Sequence, residues 1–140
     1  MRLPRMTTRR WMATAAVVAM LTAAAIEVER LRVQHARYAS ALRTFRAYEV
    51  YYEEGRATLG QCVERSRRLM EAELGLRGTK QAQVAAIEAH LARASSLIDA
   101  EINWPWSLHD TDYERAPRIA EAKESLLECR ARLDSLIRTR

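Results

Sequence analysis

Apolar and aromatic residues recur at seven-residue intervals through Leu31, Tyr38, Phe45, Tyr52 and Leu59, with a second row at Ala41, Tyr48, Cys62 and Leu69. Such a repeat lines up one stripe of side chains along an α-helix, and a stripe of this kind has to be covered by another helix. Two more rows come in steps of three and four: Val84, Ile87, Leu91, Ala94 and Ile98, then Ile119, Ala122, Leu126, Cys129, Leu133 and Leu136. No stretch alternates as a half-buried strand would, and the 140 residues contain four Gly and three Pro. The expected fold is therefore all-α: an antiparallel helical hairpin or coiled-coil-like bundle of three to four helices, preceded by an N-terminal apolar segment.

Breaks between the helices are marked by a few residues. Gly55 suits a helix C-terminus, and Thr58 with Gln61 forms a capping-box pattern that starts a new helix. Gly75 and Gly78 bracket a turn, with Thr79 placed to cap the next helix. Asn103-Trp104-Pro105-Trp106-Ser107-Leu108-His109-Asp110 reads as a loop, and Thr111 with Glu114 marks the last helix start, where Pro117 is tolerated. These signals predict helices over about 27-54, 58-76, 80-102 and 113-138.

The N-terminus has a different chemistry. Residues 1 to 10 carry Arg2, Arg5, Arg9 and Arg10 and no acid, while residues 12 to 26 carry no charge. Arginines resist crossing an energised bilayer and a short apolar helix enters it readily, so residues 1-26 are expected to be a signal peptide or signal-anchor. Residues 27-140 then form one extracytoplasmic domain, periplasmic or secreted, and bound to the inner membrane if the segment is retained. Fifteen apolar residues span about 22 Å, short of a bilayer core of roughly 30 Å, and Ala23-Ala24-Ala25 suits a signal peptidase. Against cleavage, Ile26 to Leu31 continues in good helix formers, so both outcomes stay open. Thr8-Arg9-Arg10-Trp11-Met12 partly matches a twin-arginine export signal.

The same segment accounts for most of the charge. Of the net +5, four charges are these arginines; the rest of the chain holds 19 basic and 18 acidic residues. Of the 21 Arg in the whole chain, the 17 outside that segment are interleaved with Glu at helical spacing, as on solvated helix faces, and no nucleic-acid partner is expected.

Tyr51 to Leu76 (YYEEGRATLGQCVERSRRLMEAELGL), with AAIEAHLARASSLIDAEI and EAKESLLECRARL, resembles the α-helical hairpin repeats of TolC-type outer-membrane efflux proteins. The cues are Tyr52 three residues before Gly55, Thr58 capping the next helix, and the Ala72-Glu73-Leu74 seam. The resemblance covers about half the chain and implies an extracytoplasmic helical hairpin. No segment matches the strands of an outer-membrane barrel, so it implies no transport channel.

Candidate chemistry is sparse. Cys62 and Cys129 form an even pair in an oxidising space, where a disulfide could contribute about 4 to 5 kcal/mol. Folding back near residue 78 puts Cys62 level with Ala94, and folding again near 108 puts Ala94 beside Glu121 or Ala122. Cys129 is then about 12 Å away along its helix, while a bridge needs Cα atoms within about 7 Å. A disulfide within the chain, two buried thiols and a bridge between chains all remain open. His35, His90 and His109 have no second ligand at helical spacing, so no metal or cofactor is expected. Ser66, Ser95, Ser96, Ser107, Ser125 and Ser135 lack a nucleophile elbow, and no carboxylate sits where burial would raise its pKa, so no enzyme is expected. Trp104 and Trp106 are candidates for a partner contact, or for capping the end of the core, and the cluster Tyr48, Tyr51 and Tyr52 reads as packing.

The functional expectation is a non-enzymatic exported or membrane-anchored protein acting by coiled-coil packing with itself, as a homo-oligomer, or with an envelope partner. The alternative is a small periplasmic stress or metal-responsive helical chaperone.

Overall fold

A computed structural model describes residues 8–76, 78–103 and 112–138, nearly all of them helical. Four helices occur in order: α1 (Thr8–Glu53), α2 (Leu59–Leu76), α3 (Lys80–Asn103) and α4 (Asp112–Arg138). The all-α expectation holds, and α1 and α2 are separated at Gly55–Thr58. The expected loop with Trp104, Trp106 and His109, and the expected Thr111–Glu114 cap, lie outside the residues whose side chains are described.

The break between α1 and α2 shows how the residues cause the turn. Gly55 has φ +69°, a left-handed conformation that costs a residue with a Cβ roughly 1–2 kcal/mol. It lets Gly55 N donate to Tyr52 O at 3.0 Å and Arg56 N to Tyr51 O at 2.7 Å, satisfying carbonyls that the helix end leaves free. Three residues on, Gln61 N donates to Thr58 Oγ1 at 3.3 Å and Thr58 N donates to Gln61 Oε1 at 3.0 Å, a reciprocal capping box. Gly60 lies inside α2, where an added Cβ would meet open space. Gly55→Ala should therefore lower stability by about 1 kcal/mol, while Gly60→Ala raises it by about 0.5–1 kcal/mol. Urea midpoints of the two variants check this; shifts of the same sign would contradict the assignment.

Helices α2, α3 and α4 pack mutually, and α1 lies along α2. The core has two layers. Leu59, Val63, Ala94, Ile98 and Ala122 form one, bordered by Tyr52, Leu97, Ile119 and Leu126. Met70, Ile87 and Cys129 form the other, bordered by Leu74, Leu91, Leu133 and Leu136. Val63, Ala94 and Ala122 share a layer, the register that two simple folds of the chain predict. Every residue of the predicted α3 and α4 rows is buried or half-buried.

The first row behaves differently. Phe45 is buried and Tyr52 and Tyr38 are half-buried, but Leu31 is exposed. The reason is length: α2 has 18 residues against 46 in α1, and the last turn of α2 reaches only Gln34, Arg37 and Ala41, which share a groove with Ala72 and Gly75. Below that level α1 stands alone. The helix predicted over 27-54 is thus the distal part of one unbroken helix that also contains the apolar segment.

Candidate functional site

Two features of the described residues need an account beyond core packing: the free part of α1 and a buried polar layer between the helices. In α1, Trp11, Met12, Val17, Val18, Met20, Leu21, Ile26 and Val28 are all exposed. The apolar part of the helix has a mean hydropathy of 1.8 and none of it is covered by the rest of the chain, so α1 is long and apolar enough to cross a membrane. Its polar groups are answered locally, as lipid would require. Thr22 Oγ1 donates to Val18 O at 3.0 Å and to Ala19 O at 2.9 Å.

The polar layer starts from side chains that occupy apolar rows. Ser66 continues the row of Leu59 and Cys62/Val63 on α2, and His90 and Glu101 stand on the row of Ile87, Ala94 and Ile98 on α3. Ser66 and His90 are fully buried. Ser66 Oγ lies 2.9 Å from His90 Nδ1, and Arg93 Nε donates to Ser66 Oγ at 3.2 Å. Arg93 can only donate, so Ser66 Oγ accepts from it; toward Nδ1 the hydroxyl can donate to one imidazole tautomer or accept from the other through its second lone pair. His90 Nε2 and Arg93 Nη2 are buried without a hydrogen-bond partner among the described residues. Burial pushes His90 down to about pKa 4, with Arg93 and Arg67 disfavouring its charge further. Arg93 also stacks over Phe45 of α1, its guanidinium carbon 5.7 Å from the ring centre.

A second pairing ties α1 to α3. Tyr52 Oη donates to Glu101 Oε2, and Arg115 from α4 donates to the carbonyls of Glu101 and Ile102. Burial, then the bond to Glu101, holds the Tyr52 phenol well above its usual range. Glu49, on the same face of α1, is raised mainly by burial, opposed by Arg93. The expectation that no carboxylate sits in such a setting is corrected here: Glu49 is raised and Glu101 is only 1% exposed. Neither acid has a telling motif around it, and only its position along an apolar row marks it.

The two cysteines are free, buried thiols: Cys129 belongs to the second core layer, and Cys62 precedes Val63 of the first. Cys62 Sγ donates to Tyr48 O at 3.4 Å, and burial, then Glu49 and Glu101, push its thiol up to about 11. Cys129 is likewise raised by burial. Both are therefore protonated and shielded at neutral pH, which makes them poor nucleophiles and poor metal ligands. Among the described residues no three His, Cys, Asp or Glu side chains meet to hold a metal. Of the tyrosine cluster, Tyr48 packs edge-on against Tyr51 with ring centres 5.9 Å apart, and Arg65 and Arg56 lie over their faces.

Besides the groove between α1 and α2, α4 borders two more. One, between α3 and α4, is lined by Leu91, Leu126 and Leu127 with Lys123 and Arg130 at its edge. The other, between α2 and α4, has a floor of Gly60, Val63, Ala122 and Ser125 and walls of Glu64, Glu121, Glu124 and Glu128, with Arg67. Arg67 and Arg68 both pair with Glu64, at 3.0 and 2.9 Å, and hold its carboxyl below the usual range against the opposing effect of burial. No protein-family model matches this chain, and neither a curated protein nor a solved structure shows significant similarity to it.

Proposed function

We propose that this chain is a membrane-anchored, non-enzymatic helical protein. Residues around 11–26 of α1 lie in the bilayer, and the α2–α4 bundle stands on the extracytoplasmic side, where it packs against further copies or another envelope protein. The observation that carries the reading is the continuity of α1 from Thr8 to Glu53. A signal peptidase needs an extended segment at its cleavage point, and Ala23-Ala24-Ala25 lies within regular helix. The arginines of residues 1–10 favour retention on the cytoplasmic side. The buried Ser66–His90 pair supports a structural role, because both side chains are closed off from any substrate and, among the described residues, no carboxylate accepts from the imidazole. The hairpin likeness to TolC-type repeats supports helix packing as the mode of action and extends no further.

Alkaline extraction of membranes followed by intact-mass measurement tests this. The full mass, residues 1–26 included, is expected in the membrane pellet, with the bundle digested by protease added from the extracytoplasmic face. A soluble species beginning after Ala25 would overturn anchoring.

A further inference from the structure

We propose that anchored copies associate side by side, with the outer face of α1 from one copy seated in the α2/α4 groove of the next. This rests on the anchored reading above, which fixes all copies at one height and one orientation relative to the membrane.

Height within the bundle can be read from the contacts. Tyr48 of α1 is level with Cys62, whose thiol reaches its carbonyl, and Ala41 is level with Arg68 to Ala72. Helices α2 and α4 run parallel, because Val63 shares a layer with Ala122 and Met70 shares the next with Cys129. Glu121 is thus level with Cys62 and Tyr48, and Glu128 with Leu69 and the turn of α1 near Ala41 and Leu42. The acidic groove therefore spans the height of α1 between residues 41 and 49. Within that span α1 presents Arg43 and Arg46 to solvent. They lie on the side of the helix away from Phe45, Tyr48 and Tyr52, flanked by exposed Ala39 and Val50.

The two surfaces match in charge and shape. Glu121, Glu124 and Glu128 make no ion pair among the described residues, and neither do Arg43 and Arg46. The groove floor is built of small side chains, with open space above Gly60, so an incoming helix can approach closely. Membrane anchoring makes every α1 point the same way, antiparallel to the α2 and α4 of its neighbour. The contact joins two different faces, so it is heterologous and repeats from copy to copy into a ring or row. Opposed charges at equal height set the register, and reversing one set places like charges together.

The test uses the full chain in lipid vesicles with a short lysine-independent cross-linker joining Arg43→Cys on one copy to Glu124→Cys on another, on a background lacking Cys62 and Cys129. Multimeric ladders are expected. In the cysteine-free chain, monitored by sedimentation, Arg43→Glu with Arg46→Glu should reduce association by roughly tenfold or more, as should Glu124→Arg with Glu128→Arg, and combining the four should restore it. Gly60→Trp, which fills the groove, should abolish association while circular dichroism stays helical. Association indifferent to both reversals, no rescue on combining them, or cross-links to a different protein alone would overturn the proposal. Vesicle flotation of the same samples reports anchoring separately: protein that floats but does not associate refutes the docking and leaves the anchor standing.

Discussion

Lowering the pH from about 7 to about 4 should remove on the order of 3 kcal/mol from the stability of this bundle through His90 alone. Burial between α2 and α3, with Arg93 and Arg67 nearby, depresses the imidazole from 6.5 to about 4. The unfolded chain therefore takes up a proton in that window and the folded chain does not. Stability from this group is complete above about pH 6.5 and is lost progressively as the pH falls toward the folded value. The hydrogen bonds point in the same direction. A protonated ring must donate from Nδ1 to Ser66 Oγ, which already accepts from Arg93, and a second cation then stands beside Arg93 with no carboxylate hydrogen-bonded to either among the described residues. Urea unfolding at closely spaced pH values, compared with His90→Gln, isolates the effect, because every other titrating group, the raised Glu49 included, is common to both proteins. A shallow slope between pH 6.5 and 4.5 in the variant is expected; equal slopes would rule out a buried neutral imidazole.

Much of the fold is legible in the sequence because caps and row spacing act locally. Gly55, Thr58 and Gln61 lie within seven residues of one another, and each makes the bond that its type and spacing imply. The layer shared by Val63, Ala94 and Ala122 is also foreseeable, since short turns between straight helices leave little freedom in register. Two things are less accessible. A heptad row says which face of a helix can pack, but whether a partner is present depends on the lengths of other helices; Leu31 continues the row of Phe45 and has nothing against it. The polar layer escapes for the opposite reason. Ser66, His90 and Glu101 carry the spacing of core residues, and a search by chemical motif overlooks that their positions already bury them. A polar residue on an apolar row is the signal that finds such a site.

The largest loss from a single truncation is expected at Leu59. It is 1% exposed and belongs to one core cluster with Val63, Ala94, Ile98 and Ala122, with Tyr52 of α1 and Leu126 of α4 packed against the same cluster. It is also the first residue of α2, directly after the capped turn, so its side chain is where all four helices come together. Deleting three carbons there removes their transfer free energy and leaves a cavity that the Gly55–Thr58 turn, held by its backbone hydrogen bonds and the capping box, cannot collapse to fill. Leu59→Ala should cost about 3–5 kcal/mol, a large share of the roughly 5–15 kcal/mol available to a domain of this size. Leu127→Ala is the matched comparison: the same atoms are removed from a helix of the same bundle, but that side chain is 68% exposed, and the change should stay within about 0.5 kcal/mol. Paired urea titrations decide it. Similar midpoints for the two variants would mean that the Leu59 layer is not the core of the folded protein, and the register linking α1 to α2 and α4, on which the height match of the docking groove depends, would fall with it.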